Sequence, residues 1–299
     1  MSGEGNGGAL PAAPAWFAYR RHGERRLAVI DPRTEEAVCA DLGPQDEASL
    51  LAMGGLDAEA VQAALRKCPP LDLPAVFDPP VARPSKILCL GKNFAAHAAE
   101  FGAQVPEEPM FFAKVADTLV AHGAPVRIPH WLDTRVDHEI ELGVVLGFPD
   151  PDRRGRKYVR PEHALELVAG YTILNDVTAR KMQGTDRDAK KPWLRSKSFD
   201  TFCPLGPWVV PRDLLPEVGD LELELRVNGV RRQHSRTSLM VVKVADALAY
   251  LSRHTTLRPG DLIAMGTPEG VGPVQHGDLM ECRIDRLGCL SNPVVKEVE

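Results

Sequence analysis

The stretch VDHEIELGVVLG, at residues 136–147, constrains the fold of this 299-residue chain more than any other. Its β-branched and aliphatic residues predict a strand, and side chains two positions apart in a strand point to the same face. Glu139 and Glu141 therefore share one face. The remaining inner positions are apolar: Gly143 and Val145 beside the carboxylates, and Ile140, Leu142 and Val144 opposite. Such a strand is expected to be buried, where two like charges are costly unless something compensates them.

The two glutamates permit two interpretations: salt bridges on a polar face at a strand end, or ligands of a divalent cation. No pair of His or Cys residues lies nearby, and H-E-I-E-L is not the zinc-protease motif H-E-x-x-H. Oxygen ligands instead favour Mg²⁺, Mn²⁺ or Ca²⁺. Asp176 in GYTILNDVTARKMQ adds a third carboxylate, although an Asp that starts a helix is also a good N-cap. Three carboxylates at the ends of two apolar strands favour the metal.

Three further segments contain residues with catalytic potential. His97 and Glu100 in NFAAHAAEF are spaced i and i+3, as neighbours on one helix face. They form either a solvated polar face or a general base, oriented by its carboxylate, on an active-site lid. Lys197 lies among aromatic residues and either extends to the surface or stabilises a developing oxyanion. The glycine-rich GDLIAMGTPEGVGP is no P-loop, but its amides and the Thr267 hydroxyl suit a carboxylate or carbonyl oxygen.

The charge and the cysteines of the chain narrow its partners and its compartment. The formal net charge is −5, and the basic patches at 152–160 and 229–236 lack interleaved aromatics, so we interpret them as solvated loops and expect no nucleic-acid binding. No apolar run has the length of a membrane span. The six cysteines lack C-x-x-C spacing, and most lie in apolar runs. This indicates buried thiols in a reducing compartment, with the cytoplasm as the default location.

The chain is predicted to divide at a proline-rich stretch, residues 68–86, because proline suits neither a helix interior nor a central strand. Residues 1–15 lack the features of a secretory signal and are predicted to be a disordered tail. Residues 16–82 predict a small N-terminal α/β domain that ends in the proline-rich linker, with helices that Asp46 and Asp57 would cap.

The larger part of the chain, residues 83–299, predicts mostly strands and is expected to form a catalytic domain. Asn228-Gly229 between two alternating runs indicates a type I′ hairpin. Helices are predicted at 177–183 and 244–254. Because alternation of strand and helix is not sustained, the predicted fold class is α+β and mostly β, with a closed or rolled sheet and a few covering helices.

These stretches together resemble the fumarylacetoacetate hydrolase family, in order from about Arg83 to Pro293. The chain is most similar to two-domain members that lack the extra N-terminal domain of fumarylacetoacetase itself. The matching stretches are CLGKNFAAHAAE, FFAKVADTLV, DHEIELGVVLG, AGYTILNDVTARKMQ, WLRSKSFDTFCPLGP, RVNG, LRPGDLIAMGTPEGVGP and GDLMECRIDRLGCLSNPV. The resemblance implies a mixed β-sandwich roll, a homodimer, and one Mg²⁺ or Mn²⁺ in each subunit.

The resemblance also implies roles for individual residues. Those that match the family's metal carboxylates are Glu139, Glu141 and Asp176. Those that match catalytic residues are the lid pair His97 and Glu100, together with Lys197. Those at positions that line the family's substrate pocket are Lys114, Arg180, Gln183 and Thr267. One departure is Lys181, where many members carry Asp.

The implied activity is hydrolysis of a carbon–carbon bond in a 2,4-dioxo acid of the acylpyruvate or fumarylpyruvate type, through a metal-bound enolate. The substrate is thus expected to be a small 2-oxo acid. The same site would serve decarboxylation or tautomerisation of oxaloacetate, or isomerisation of 2-hydroxyhepta-2,4-diene-1,7-dioate. The pairing of His97 with Glu100 favours hydrolysis. A structural cation-binding protein is the non-enzymatic alternative.

Overall fold

A computed structural model of the chain describes residues 10–33, 38–44, 47–73, 76–100, 102, 104–152, 154–216 and 218–299. The strands are β1 Ala15–Arg21, β2 Glu24–Asp31, β3 Val38–Gly43, β4 Pro70–Leu71, β5 Phe77–Asp78, β6 Ile87–Gly91, β7 Met110–Lys114, β8 Leu119–Val120, β9 Val126–Ile128, β10 Val136–His138, β11 Ile140–Leu146, β12 Val168–Asn175, β13 Thr178–Ala179, β14 Cys203–Pro204, β15 Trp208–Pro211, β16 Glu222–Val227, β17 Val230–Arg236, β18 Leu262–Ala264, β19 Gly272–Val274, β20 Leu279–Ile284 and β21 Gly288–Lys296.

The helices are shorter and lie between the strands. The α-helices are α1 Glu47–Ala52, α2 Ala58–Lys67, α3 Ala95–Glu100, α4 Pro161–Ala164, α5 Arg180–Asp188, α6 Leu194–Lys197 and α7 Val244–His254. Short 3-10 turns span Ala116–Thr118, Leu165–Leu167, Arg212–Leu214, Val218–Asp220 and Thr237–Leu239. None of the helices in the described ranges combines the length and the apolar character that a membrane crossing needs.

Two large mixed sheets face each other. One has eleven strands in the order β4-β3-β2-β1-β15-β12-β11-β18-β6-β7, with β5 also paired to β1, and the other has the order β17-β16-β20-β21-β9. Strands β11 and β12 of the first sheet contact β16, β20 and β21 of the second. The predicted class, mostly β with a mixed sandwich, is confirmed.

Strand β11 is buried along its whole length, as its two apolar faces predict. On one face, Ile140, Leu142 and Val144 join the core between the two large sheets. On the other face, Val145 joins a second core that includes side chains of α1 and α2. The strand therefore lies between two apolar layers, and any polar side chain on it is removed from water.

The predicted single strand over 136–147 is interrupted at Glu139. Strand β10 pairs with β13 and β19 in a small separate sheet, whereas β11 pairs with β12 and β18. The chain thus passes from one sheet to another at the first acidic residue. Pairing with β10 also explains why the helix predicted at 177–183 begins only at Arg180, because Thr178 and Ala179 form β13. This helix extends beyond the predicted end, to Asp188.

The N-terminal strands extend the main sheet, because β1 pairs with β15 and the Phe17 ring packs edge-on against Trp208 at 5.1 Å. The domain boundary near residue 82 stays a prediction, since one continuous sheet crosses it.

The predicted disordered tail is wrong for residues 11–15. Pro11, Ala13 and Pro14 are buried and Ala15 begins β1, because Ala13 and Ala15 pack in the core between the sheets.

Several local predictions are tested by the described residues. Asp57 caps α2, its carboxylate accepting a hydrogen bond from Ala60 N–H at 2.7 Å, whereas residues 1–9 and Asp46 lie outside the described ranges. The Asn228-Gly229 hairpin is confirmed by positive φ at both residues, and the helix predicted at 244–254 is α7. The six cysteines are free thiols, and all but Cys68 are buried, as expected.

The basic patch at 229–236 is not a solvated loop. Most of it is strand β17, in which exposed Arg231, Arg232 and His234 alternate with the buried Gln233 and Ser235. The strand was not predicted because the residues that face inward here are polar as well, so the alternation of period two shows no hydrophobic contrast.

His122 joins the N-terminal strands to the C-terminal strand β21. Its ring lies edge-on to Phe77 at 5.2 Å, and its Nδ1 accepts a hydrogen bond from Ser291 N–H at 3.0 Å. Burial lowers the pKa of His122 from 6.5 to about 4. Between about pH 4 and pH 6.5, the ring is therefore neutral in the folded state and protonated in the unfolded chain.

We expect His122 to make the fold acid-sensitive. Because its pKa is depressed on folding, its contribution is complete above pH 6.5 and is lost as the pH falls towards 4, by about 3 kcal/mol in total. Urea unfolding of His122→Gln between pH 4 and 7 should show a correspondingly weaker loss of stability. His130→Gln, at an exposed position, is the control. An unchanged pH profile in His122→Gln would contradict the assignment.

Candidate metal centre and active site

Three carboxylates converge where β11 and β12 meet the break in the chain. Glu139 lies in the break, Glu141 lies on β11, and Asp176 directly follows β12. All three are buried, and oxygen atoms from the three lie within 4.8 Å of one another. The backbone fixes this geometry, because Asp176 N–H donates to the Glu139 carbonyl at 2.8 Å and Asn175 Oδ1 accepts from Glu139 N–H at 2.8 Å.

Cations surround two of the carboxylates. The Lys197 ammonium donates to Glu139 at 2.9 Å and also to Asp176, and the Arg180 guanidinium donates to Glu139. Lys114 donates to Asp176 at 2.7 Å. Burial alone would raise the pKa of Glu139, but the charges of Lys197 and Arg180 outweigh it and the pKa is lowered. Glu139 is therefore held as a carboxylate.

Glu141 has a different environment. It accepts a hydrogen bond from Gly266 N–H at 2.7 Å and forms no ion pair with any described residue. Burial raises its pKa well above the usual value, and the charges of Asp176 and Glu139 raise it further. Gly266 has a φ of +86°, and a Cβ there would lie 2.8 Å from that of Asn93, so only glycine suits this position.

The donor set fits a hard divalent cation. Three carboxylates without a His or Cys among them match the oxygen ligands of Mg²⁺ and Mn²⁺. The repulsion that raises the pKa of Glu141 is also what a dication would relieve. These residues could hold a metal, and their arrangement does not distinguish Mg²⁺ from Mn²⁺.

The carboxylates form one wall of a cavity of about 510 Å³. Of the residues predicted for the site, those that line it are His97, Glu139, Glu141, Asp176, Arg180, Gln183, Lys197 and Thr267. Lys114 does not line it, contrary to expectation, because its fully buried ammonium lies behind Asp176 and also donates to the Val177 carbonyl. Lys181, the departure from the family pattern, is exposed and does not line the cavity either.

The predicted pair on α3 is formed. His97 Nδ1 lies 3.2 Å from Glu100 Oε2, and Gly270 N–H donates to the other carboxylate oxygen at 3.4 Å. Because the carboxylate accepts, Nδ1 carries the hydrogen, and Nε2 is the ring nitrogen that can take a proton. The pair has the orientation of a general base, whereas its role as a lid stays a prediction.

Lys197 has contacts that its sequence context did not predict. Its ammonium bridges Glu139 and Asp176 and lies 4.9 Å from the centre of the Phe112 ring. The bridge holds two of the carboxylates in place, so the alternative of a lysine that extends to the surface is wrong. Stabilisation of an oxyanion stays a prediction.

Asp137 was missed in the sequence. It is fully buried, and its carboxylate accepts hydrogen bonds from Arg180 at 2.8 Å and from Arg135 at 2.6 Å. Arg180 also donates to Gln183 at 2.6 Å, so Asp137 fixes the arginine between Glu139 and Gln183. An acidic residue two positions before Glu139, in the same strand pattern, was the available signal.

Comparison with known proteins identifies the family. Residues 86–295 match the family model described as the fumarylacetoacetate (FAA) hydrolase C-terminal domain. The chain belongs to the fumarylacetoacetate hydrolase family. Among relatives, it is 45% identical over 216 residues to an uncharacterised protein of Pyrococcus abyssi, covering 72% of this chain and 92% of the relative. It is 42% identical over 223 residues to a mitochondrial oxaloacetate tautomerase of Xenopus laevis, covering 72% of this chain and 67% of the relative.

Solved structures of the family show the same fold. Fumarylacetoacetate hydrolase from Exiguobacterium antarcticum has a TM-score of 0.80 and 33% identity, covering 95% of this chain and all of that one. Fumarylpyruvate hydrolase from Pseudomonas aeruginosa, in complex with Mn²⁺ and pyruvate, has a TM-score of 0.65 and 38% identity, covering 71% of this chain and 90% of that one. Named members of the family are thus enzymes, among them hydrolases and tautomerases.

The unequal environments of the two glutamates lead to a test of the metal site. In Glu141→Gln the Gly266 hydrogen bond can persist and the cost of burying a carboxyl group beside two others is removed, so the metal-free protein should become more stable. In Glu139→Gln two cations lose a partner, which should cost about 3 kcal/mol. In both variants the stabilisation by Mn²⁺, about 2.7 kcal/mol at a hundredfold excess over Kd, should disappear. Urea unfolding with and without Mn²⁺ measures both effects.

The control for this test is Glu162→Gln, on the exposed helix α4, which should respond to Mn²⁺ like the unmodified chain. Stabilisation of the unmodified size by Mn²⁺ in both cavity variants would rule out these residues as ligands.

Proposed function

We propose that this chain is a metal-dependent hydrolase that cleaves a carbon–carbon bond in a 2,4-dioxo acid of the acylpyruvate or fumarylpyruvate type. The observation that carries the proposal is that His97, oriented by Glu100, lines the same cavity as the three carboxylates. A base and a cation site around one cavity suit the addition of water to a carbonyl.

The metal and the base would have different roles in the reaction. A Mg²⁺ or Mn²⁺ ion held by Glu139, Glu141 and Asp176 would act as a Lewis acid towards the carboxylate and 2-oxo oxygens of the substrate. His97 Nε2 takes a proton from a water molecule, whose oxygen bonds to C4 of the substrate while the π pair of the C4 carbonyl moves to the carbonyl oxygen. When that pair forms the carbonyl again, the C3–C4 bond breaks, its electron pair stays on C3 in conjugation with the 2-oxo group, and His97 returns the proton to C3. The products are a carboxylic acid and a 2-oxo acid.

The charges around the cavity fit an anionic substrate. Besides Arg180 and Lys197, the cavity is lined by Lys92 and Arg187, which form no ion pair with its carboxylates. These cations favour an acid that carries negative charge. Arg180, Lys197 and the Thr267 hydroxyl line the cavity and supply donors for the oxygens of that acid.

The size of the cavity supports a substrate with a tail. A volume of about 510 Å³ exceeds what a pyruvate-like head requires, and Leu90, Phe112 and Trp193 add apolar surface to its wall. The remaining space suits the acyl part of an acylpyruvate.

Tautomerisation of oxaloacetate is the second candidate, favoured by the name of the Xenopus laevis relative. In that reaction His97 would move a proton to or from C3 without activating water. Decarboxylation of oxaloacetate, in which CO₂ leaves C3, and isomerisation of a dienoate, in which a proton moves along the conjugated chain, require the same electron sink.

A substrate panel with Mg²⁺ separates these reactions. Acetylpyruvate and fumarylpyruvate test hydrolysis, oxaloacetate is followed for both loss of CO₂ and enol–keto exchange, and 2-hydroxyhepta-2,4-diene-1,7-dioate tests isomerisation. Turnover of oxaloacetate by exchange alone, without cleavage of either acylpyruvate, would replace hydrolysis with tautomerisation. Stabilisation by Ca²⁺ with no effect of oxalate and no turnover would support a structural cation-binding protein.

The homodimer and the cytoplasmic location implied earlier are likewise proposals. The molar mass in solution, measured by light scattering, tests the dimer. Fractionation of cells that express the chain tests its location.

The general base gives the sharpest test of hydrolysis. His97→Ala should lower kcat on the preferred acylpyruvate by about 10²–10⁴ because water is no longer deprotonated, while the affinity for Mn²⁺ is unchanged. His163→Ala is a matched control, since His163 on α4 and Glu166 on the following 3-10 turn form the same i, i+3 pair at 2.9 Å, exposed and outside the cavity. Unmodified hydrolysis by His97→Ala would exclude His97 as the base.

A further inference from the structure

Gln233 is a polar residue in a position where strand β17 faces the core. It is fully buried, although its neighbours Arg232 and His234 are exposed. Its side-chain amide makes four hydrogen bonds. Two are formed by Oε1, with His138 and Ile140, and two by Nε2, with Thr267 and Pro268. Gln233 does not line the cavity. Such a fully bonded amide fixes the direction of every hydrogen bond around it.

The direction of each bond follows from its partners. Gln233 Oε1 lies 3.1 Å from Ile140 N–H, which can only donate, so this atom is the oxygen. Gln233 Nε2 lies 2.8 Å from the Pro268 carbonyl, which can only accept. The second N–H of the amide is then directed at Thr267 Oγ1, 2.8 Å away. Thr267 therefore acts as an acceptor towards Gln233.

A hydroxyl that accepts from one side has its own hydrogen left to donate on another. Thr267 lines the cavity and is 3% exposed, and no described residue accepts its hydroxyl hydrogen. We propose that Gln233 is a positioning residue that sets Thr267 as a hydrogen-bond donor towards a carboxylate or carbonyl oxygen of the substrate. The inference rests on the proposed function, because it assigns the cavity a substrate with oxygen acceptors.

The same reasoning defines what the cavity rejects at this point. An N–H or O–H of a ligand would have to take the second lone pair of Thr267, and the hydroxyl hydrogen would then turn to a direction in which no described residue accepts it. The site is thus selective for an ionised acid or a carbonyl over an amide nitrogen or an alcohol donor at this position.

A double-mutant cycle tests the inference. Thr267→Val removes the hydroxyl, and Gln233→Glu replaces the donor by a carboxylate that would draw the hydroxyl hydrogen away from the cavity. Each single change should weaken oxalate binding in the presence of Mn²⁺, measured by calorimetry, and lower kcat/KM about 10- to 100-fold. The double variant should lose no more than either single variant, whereas independent effects would multiply.

Three further variants control for misfolding and for the added negative charge. Gln233→Met has the shape of glutamine without its donors and should fall between the unmodified chain and Gln233→Glu. Thr267→Ser keeps the hydroxyl and should bind oxalate within a fewfold of the unmodified chain. Gln275→Glu, at an exposed position, adds the same charge and should change nothing. The Mn²⁺-induced shift in unfolding confirms that each variant folds.

The outcomes separate the two proposals. If oxalate binds and Thr267→Val weakens it, but the effect of Gln233→Glu is absent or multiplies with that of Thr267→Val, the role of Gln233 is wrong and the proposed function stands. If Thr267→Val has no effect while His97→Ala still abolishes turnover, Thr267 is not a donor and the inference is again wrong. If the unmodified chain does not bind oxalate with Mn²⁺, both proposals fail.

Discussion

The repulsion among three buried carboxylates within 4.8 Å of one another is the constraint on which the site depends. Three cations offset it, and each comes from a different part of the chain: Lys114 ends β7, Arg180 begins α5 and Lys197 ends α6. Strand β7 is far from the two helices in sequence, so only the complete fold brings the three charges together. A chain that folded β11 and β12 without β7, α5 and α6 would bury uncompensated charge, which costs several kcal/mol per ion. Folding and assembly of the site are therefore coupled.

The different environments of Glu139 and Glu141 follow from the break between β10 and β11. Because the chain changes sheets at Glu139, that residue turns towards Lys197 and Arg180, whereas Glu141 stays in the ladder and receives a backbone N–H from Gly266. Cations lower the pKa of the first, and burial with like charges raises that of the second. The unfavourable free energy is thus concentrated on Glu141, the position where a bound dication gains most. Rigid sheet on either side keeps the carboxylates from moving apart to relieve it.

Sequence patterns correctly predicted the features that depend on local periodicity. They failed for features that depend on contacts with residues far away in the chain. The two-faced strand, the α7 helix, the Asn228-Gly229 hairpin and the three convergent carboxylates followed from spacing and turn chemistry. The start of α5, the packing of residues 11–15 and the position of Lys114 behind Asp176 depend on pairing and burial between segments far apart. Gln233 was missed because its strand alternates charged with uncharged polar residues, a pattern without hydrophobic contrast. Asp137 and Gln233, both missed, share one property: each supports another side chain, and neither lines the cavity itself.

The parts of the site also differ in how firmly the fold holds them, and this bears on which reaction it performs. The carboxylates lie on or beside central strands, whereas His97, the proposed base, lies on α3, a helix of six residues linked to the Thr267 loop by the bond between Gly270 N–H and Glu100. A metal site on rigid strands would stabilise negative charge at C3 in hydrolysis and in tautomerisation alike. Under the proposed function, the reaction would depend on whether His97 meets a water molecule or the C3 hydrogen, which the position of α3 relative to the substrate would decide. Relatives that share the sheet and differ in this helix and in the cavity wall are therefore expected to differ in activity, as the names of hydrolases and a tautomerase among them indicate.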